Sequence, residues 1–180
     1  DVAVRVIDAS DGDEGVRDVP TGEVGEICLA APQLMAGFWD SPAETGLMLR
    51  THGPEGRTWL HTGDLGYLDE DGYLFIVDRK KDLIKTSGFQ VWPREVEETL
   101  ALHPAVSEVG VAGVPDEAKG EAVRAWVVLR RGEAASEEDL RAFCRERLAP
   151  YKVPSKIEFR AELPRTMVGK VLRRALRASS

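Results

Sequence analysis

The chain has 180 residues, 43% hydrophobic and 31% charged, with a formal net charge of −7 at pH 7. This composition suits one or two ordinary globular domains, and the acidic balance argues against general nucleic-acid binding. No apolar run approaches the roughly 18 residues of a spanning helix. Cys28 and Cys144 lack C-x-x-C spacing, and His52, His61 and His103 show no ligand spacing, so neither a disulfide framework nor a metal site is expected. The cysteine usage points to a reducing compartment; the expected location is the cytoplasm, with a peripheral membrane association left open.

Taken in chain order, the first part reads as β-structure. Short apolar runs at residues 2–7, 24–29 and 73–77 are separated by the turn signals Asp11-Gly12, Thr21-Gly22 and Asp71-Gly72. Residues 65–68 and 73–76 are predicted to pair around a four-residue loop, 69–72, with Gly72 available for positive φ. Thr62-Gly63-Asp64 is predicted to be a loop. These strands are too few to close a barrel by themselves. Residues 78–82 are five consecutive charged residues between apolar runs, which reads as an exposed connection.

Beyond that connection strands and helices interleave. Pro93 opens a helix whose early Glu95, Glu97 and Glu98 suit the dipole, with Val96 and Leu100 on one face; His103-Pro104 stops it. Residues 106–114 and 125–129 are valine-rich and strand-like. Ser136-Glu137-Glu138-Asp139 resembles a capping box, followed by the apolar stripe Leu140, Phe143, Cys144 and Leu148. Ile157 and Phe159 alternate in a last strand, and residues 170–176 are predicted to form the final helix.

The last stretch carries chemistry. From Leu163 onward there are five basic residues, Arg165, Lys170, Arg173, Arg174 and Arg177, and no acid. Gly169-Lys170 is not a P-loop, because Pro164 and Val171 stand where that cradle needs glycine and Ser or Thr. A compact ammonium in a Pro-led loop suits charge developing at a phosphate; a solvated surface lysine and a solvated basic helix face are the alternative explanations.

Several motifs occur together: Gly22-Glu23-Val24-Gly25-Glu26, Gly37-Phe38-Trp39, Trp59-Leu60-His61-Thr62-Gly63-Asp64-Leu65-Gly66, Asp78-Arg79-Lys80-Lys81-Asp82-Leu83-Ile84-Lys85, Ser87-Gly88-Phe89-Gln90 and Gly169-Lys170. In this order they resemble the adenylate-forming (AMP-binding) superfamily and, within it, the acyl-CoA synthetases, or fatty-acid CoA ligases. The resemblance implies an α+β chain in which residues 1–78 are the β-rich tail of a large N-terminal domain, 79–82 a hinge, and 83–180 a small mobile C-terminal domain. It also implies that the loop holding the ATP phosphates and the Mg2+ site lie in a preceding part, so this chain by itself is expected to be inactive. The implied activity joins a medium- to long-chain carboxylic acid to CoA at the expense of ATP, through an acyl-adenylate. Alternatives are an acyl-AMP ligase or adenylation domain loading a carrier protein, and a non-catalytic carrier-docking module.

The resemblance assigns roles residue by residue. Asp64 meets the ribose hydroxyls, Arg79 the ribose or phosphate, and Ile76 the nucleoside face. Lys81 stands at the hinge. Lys170 and Lys85 are the catalytic lysines, with Ser87, Gly88 and Gln90 on the CoA, or pantetheine, side. The residues keep their plainer explanations: an Asx-turn for Asp64, an ion pair of Arg79 with Asp78 or Asp82, core packing for Ile76, and a strand turn for Gly88. A lysine acetyltransferase and a deacetylase acting on Lys170 complete the implied partners; no nucleic acid is among them, and the oligomeric state is open.

Overall fold

The computed structural model describes residues 2–8, 16–53, 56–167 and 169–178. The Asp11-Gly12 turn lies outside them. The chain divides into two compact units, Asp1–Lys81 and Asp82–Ser180. No helix among the described residues is long and apolar enough to cross a membrane.

In the first unit β1 (Ala3–Ile7), β2 (Gly25–Ala30), β3 (Leu49–His52), β4 (Arg57–Leu68) and β5 (Leu74–Arg79) form an antiparallel sheet in the order β1-β2-β4-β3, with β5 also on β4. Strand β4 organises the unit, pairing with β3 through residues 57–60 and with β5 through residues 64–68. Glycine permits its close approach to β5 and β2: a Cβ on Gly66 would run into the Phe75 carbonyl oxygen and lie 2.9 Å from Ile27 Cδ1. A short helix, α1 (Pro42–Met48), opens on Pro42, where the missing N–H costs nothing. The apolar core is small, with Ile7, Cys28, Ala30 and Trp59.

Two details of this sheet depart from the sequence reading. Leu68 pairs with Leu74, so the hairpin loop is one residue longer than predicted and includes Tyr73. The Asp69 carboxylate explains it: Oδ1 accepts the Asp71 and Tyr73 N–H groups at 3.1 and 2.8 Å, while Gly72 takes φ +82°. Thr62-Gly63-Asp64 is not a loop either. It is a bulge within β4, lying between the His61–Cys28 and Leu65–Glu26 pairs.

The second unit is built on the long hairpin β8 (Val106–Asp116) and β9 (Gly120–Leu129), with β10 (Lys156–Phe159) parallel to β9 and the hairpin β6 (Ile84–Thr86) and β7 (Phe89–Val91) beside it. Strand alternation divides the core. Val111, Val123, Ala125 and Val127 face one way, packing with Val96 and Leu100 of α2 (Pro93–Ala101) and Leu140 and Cys144 of α3 (Glu137–Arg145). Ala112, Val114, Ala122 and Trp126 face the other way, against Leu163 and against Leu176 of α4 (Arg173–Ala178). Gly110 lets that helix approach, since its Cβ would meet Leu176 Cδ1 at 2.8 Å.

The capping box at α3 is present, with Ser136 Oγ accepting the Asp139 N–H and Asp139 Oδ2 accepting the Ser136 N–H. The last helix starts at Arg173, three residues later than predicted, because Lys170 and Val171 are spent closing a loop. The chain as a whole is α+β.

Candidate functional site

In the first unit the β4 bulge turns Asp64 toward β5. Gly63 supplies φ +68°, and Thr62 Oγ1 fixes the bend by donating to the Ile27 carbonyl at 2.8 Å while accepting the Asp64 N–H at 3.1 Å. Asp64 is paired in register with Arg79, and Arg79 Nε lies 3.1 Å from Asp64 Oδ1. This is neither of the ion pairs weighed for Arg79 from the sequence; Asp78 instead accepts the Arg79 backbone N–H at 2.8 Å. Ile76 is 60% exposed, so packing in the core does not account for it.

Behind the bulge is a polar cluster that motif reading did not single out. Glu26 is only 5% exposed. Its carboxylate meets Lys80 Nζ at 3.1 Å, the His61 ring at 3.4 Å and the Gly63 N–H at 3.3 Å. Burial by itself would raise its pKa, but the hydrogen bonds from His61 and Lys80 outweigh that and hold it at about 2. One carboxylate thus fastens the bulge before Asp64 to the residue after Arg79. A glutamate in an otherwise apolar run, Gly25–Ala30, was the signal available for it.

The cluster continues through the histidines. Arg5 Nη1 lies 3.2 Å from His52 Nδ1, and a guanidinium can only donate, so that ring carries its proton on Nε2. His52 Nε2 donates to His61 Nε2 at 3.3 Å, leaving His61 Nδ1–H for Glu26. Burial first, then the nearby His61 ring and the Arg5 guanidinium, lowers the pKa of His52. Together with Cys28 these rings place three donor atoms within 4.8 Å, a gathering invisible in the sequence spacing and contrary to it. Both His52 nitrogens are engaged, and burial pushes the Cys28 thiol up to about 12. The trio lies across β2, β3 and β4, with Cys28 and His61 buried and His52 partly so.

In the second unit β6 and β7 are joined by the two-residue turn Ser87-Gly88, with φ of +49° and +82°. Both signs are those of a type I′ hairpin turn, so the strand-turn explanation of Gly88 holds structurally. Ile84, Thr86 and Val91 point into the unit, while Lys85 and Gln90 lie opposite each other with exposed side chains. Ser87, Gly88, Lys85 and Gln90 are thus brought together on one hairpin. Phe89 stacks on Tyr151 at 4.4 Å, giving this edge an aromatic flank. Lys81 is exposed in the 3₁₀ turn Lys80–Asp82.

Lys170 is exposed and follows Gly169, whose φ is +82°. Its backbone is held: the Lys170 N–H donates to Thr166 Oγ1 at 3.1 Å, and the Thr166 N–H to the Lys170 carbonyl at 2.7 Å. Arg173 is not part of a solvated basic face, since its side chain is 18% exposed and pairs with Glu97 and Asp82.

Residues 95–170 match the AMP-binding enzyme C-terminal domain. The chain is 52% identical over 170 residues to the long-chain-fatty-acid–CoA ligase of Bacillus subtilis, covering 91% of this chain and 29% of that protein. It is 47% identical over 176 residues to the fatty acid–[acyl-carrier-protein] ligase ScoC of Streptomyces coeruleorubidus, covering 98% of this chain and 32% of that protein. The crystal structure of ATP-bound MatB from Rhodopseudomonas palustris superposes with a TM-score of 0.88 at 36% identity, over 99% of this chain and 34% of that one. The chain therefore spans roughly a third of the length of these relatives.

Proposed function

The chain belongs to the adenylate-forming enzymes, and from that premise we propose that it is the C-terminal part of an ATP-dependent carboxylic acid:CoA ligase acting on medium- to long-chain fatty acids. In the first step a carboxylate oxygen attacks the α-phosphorus of ATP, giving acyl-AMP and pyrophosphate. In the second the CoA thiol attacks the acyl carbon and AMP leaves. The observation that carries this reading is the Asp64–Arg79 pair, an acceptor and a donor fork presented side by side at a bulge. Carboxylate and guanidinium together suit two ribose hydroxyls and a phosphate oxygen, with Ile76, exposed on the same strand as Arg79, for the nucleoside.

Lys170 is the lysine of the first step, its ammonium offsetting the charge that builds between carboxylate and phosphate. Lys85, Ser87, Gly88 and Gln90 serve the second, with the bare Gly88 backbone leaving room for a pantetheine arm. Residues 79–82, with Lys81 exposed at their centre, are the hinge that exchanges one set for the other. We place the Mg2+ ligands in another part of the enzyme. The buried Glu26 does not fit an ion, because Lys80 already neutralises it and the His61 ring and the Gly63 N–H take up its oxygens. Acetylation of Lys170 would remove its charge and act as an off-switch for the first step, reversible by a deacetylase. We place the enzyme in the cytoplasm, a reading supported by two cysteines that are both free and buried.

Loading of a carrier protein is the second reading, favoured by the 47% identity to ScoC. The full-length enzyme, given ATP and a fatty acid with either CoA or an acyl carrier protein, separates the two. Acyl-CoA formation supports the first reading, acylation of the carrier alone the second. Neither product, with no pyrophosphate release, would leave a docking module. The 180-residue chain assayed alone should form no acyl-CoA.

A further inference from the structure

The loop that carries Lys170 is held at both ends by arginines. The Leu172 N–H donates to the Pro164 carbonyl at 2.7 Å, Arg165 and Val171 form an isolated bridge, and the Gly169 N–H donates to the Thr166 carbonyl at 2.9 Å. Arg165 Nη1 donates to the Gly169 carbonyl at 2.7 Å, and its Nη2 pairs with Glu108 of β8 at 2.7 Å. On the other side Arg173 grips Glu97 of α2 with two nitrogens, at 3.0 and 2.6 Å, and reaches Asp82 with the third at 3.3 Å. Glu97 in turn accepts the Val111 N–H at 2.9 Å. The side chains of Arg173, Glu97 and Asp82 are 18%, 18% and 20% exposed, which sets them apart from ordinary solvated pairs.

We propose that Arg173, with Arg165 as a second stay, is the positioning residue that presents Lys170 to the adenylate-forming step. This deepens the ligase reading and rests on it. An electrostatic donor contributes to a transition state in proportion to its preorganisation, and a misplacement of about 1 Å can cost on the order of 10²-fold in rate. Lysine is a poor self-positioner, being a point charge on a flexible stem, so the backbone beneath it must be fixed from elsewhere. Arg173 supplies that fixing three residues after Lys170. It ties the loop to α2 and to Asp82, the first residue of the second unit. The loop and the start of its unit are therefore one body. Only arginine can grip two carboxylates with a planar fork, so lysine at 173 would keep the charge and lose the geometry.

The test uses the full-length enzyme with two readouts: acid-dependent exchange of pyrophosphate into ATP, and thioester formation from supplied acyl-adenylate and CoA. Arg173→Lys and Arg165→Ala are each expected to lower exchange on the order of 10-fold relative to the thioester step. In a Lys170→Ala background the same replacements should change the residual exchange less than about 2-fold, because they act through Lys170. Equal factors in both backgrounds, or unchanged exchange in the parent, would overturn the proposal while leaving the ligase reading intact. Lys170→Ala with full exchange would instead remove the premise. Arg165 is about half exposed, so its replacement gives a result even if the Arg173 variant fails to fold.

Discussion

Asp64 and Arg79 are directly opposed in the β4–β5 ladder, with Arg79 Nε 3.1 Å from Asp64 Oδ1. The arginine side chain is 59% exposed and the aspartate 29%, so the pair contributes roughly 0 to 1 kcal/mol to stability. It is therefore cheap to separate when a ligand offers better partners. Hydrogen bonds to charged groups are worth about 1.5 to 3 kcal/mol each. Asp64→Asn and Arg79→Gln in the full-length enzyme should each lower kcat/KM for ATP by roughly 10-fold to 10²-fold, with melting temperatures almost unchanged. A large loss of stability with an unchanged ATP dependence would make the pair structural.

The Ser87-Gly88 turn allows a test of conformation separate from contact. No atom lies within 4 Å of a Cβ built on Gly88, whose φ is +82°. Gly88→Ala should cost roughly 1 to 2 kcal/mol through backbone strain alone. Ser87→Asn should be neutral or stabilising by a few tenths of a kcal/mol, roughly, because Asn-Gly is the preferred pair for this turn. Thermal melts of the chain read both changes.

Glu26 sets an acid limit on the first unit. Its carboxyl is held at about 2 against an ordinary 4.5, so the folded state binds its proton less readily than the unfolded chain does. The stability this contributes, on the order of 3 kcal/mol, is fully present above pH 4.5 and is lost as pH falls toward 2. Glu26→Gln should lower stability at pH 7 and flatten its dependence between pH 5 and 2. An unchanged acid transition in the variant would show that Lys80 and His61 do not hold Glu26 as described.

What the sequence made legible was local. Proline at 93 and the Ser136–Asp139 reciprocity mark helix starts because their chemistry acts within one turn. Valine-rich runs located most of β8 and the second half of β9. What was not legible depended on partners far along the chain. Thr62-Gly63-Asp64 reads as a loop until Ile27 is placed opposite it. The cluster of Cys28, His52 and His61 exists because β2 and β3 flank β4. The three-residue strands β6 and β7 are too short for periodicity to register. Arg173 looks like one more solvated cation until α2 brings Glu97 to it. Asp64, Arg79 and Lys170 were singled out by motif resemblance, which notes such residues without saying what holds them in place.

The most direct test concerns Lys170 in the full-length enzyme. Acid-dependent pyrophosphate exchange and thioester formation from supplied acyl-adenylate are measured side by side for the parent and for Lys170→Gln, which also mimics acetylation. Exchange should fall on the order of 10² to 10³-fold, while thioester formation retains most of its rate. Equal loss of both steps would make Lys170 a structural residue, and undiminished exchange would contradict its assignment to adenylation.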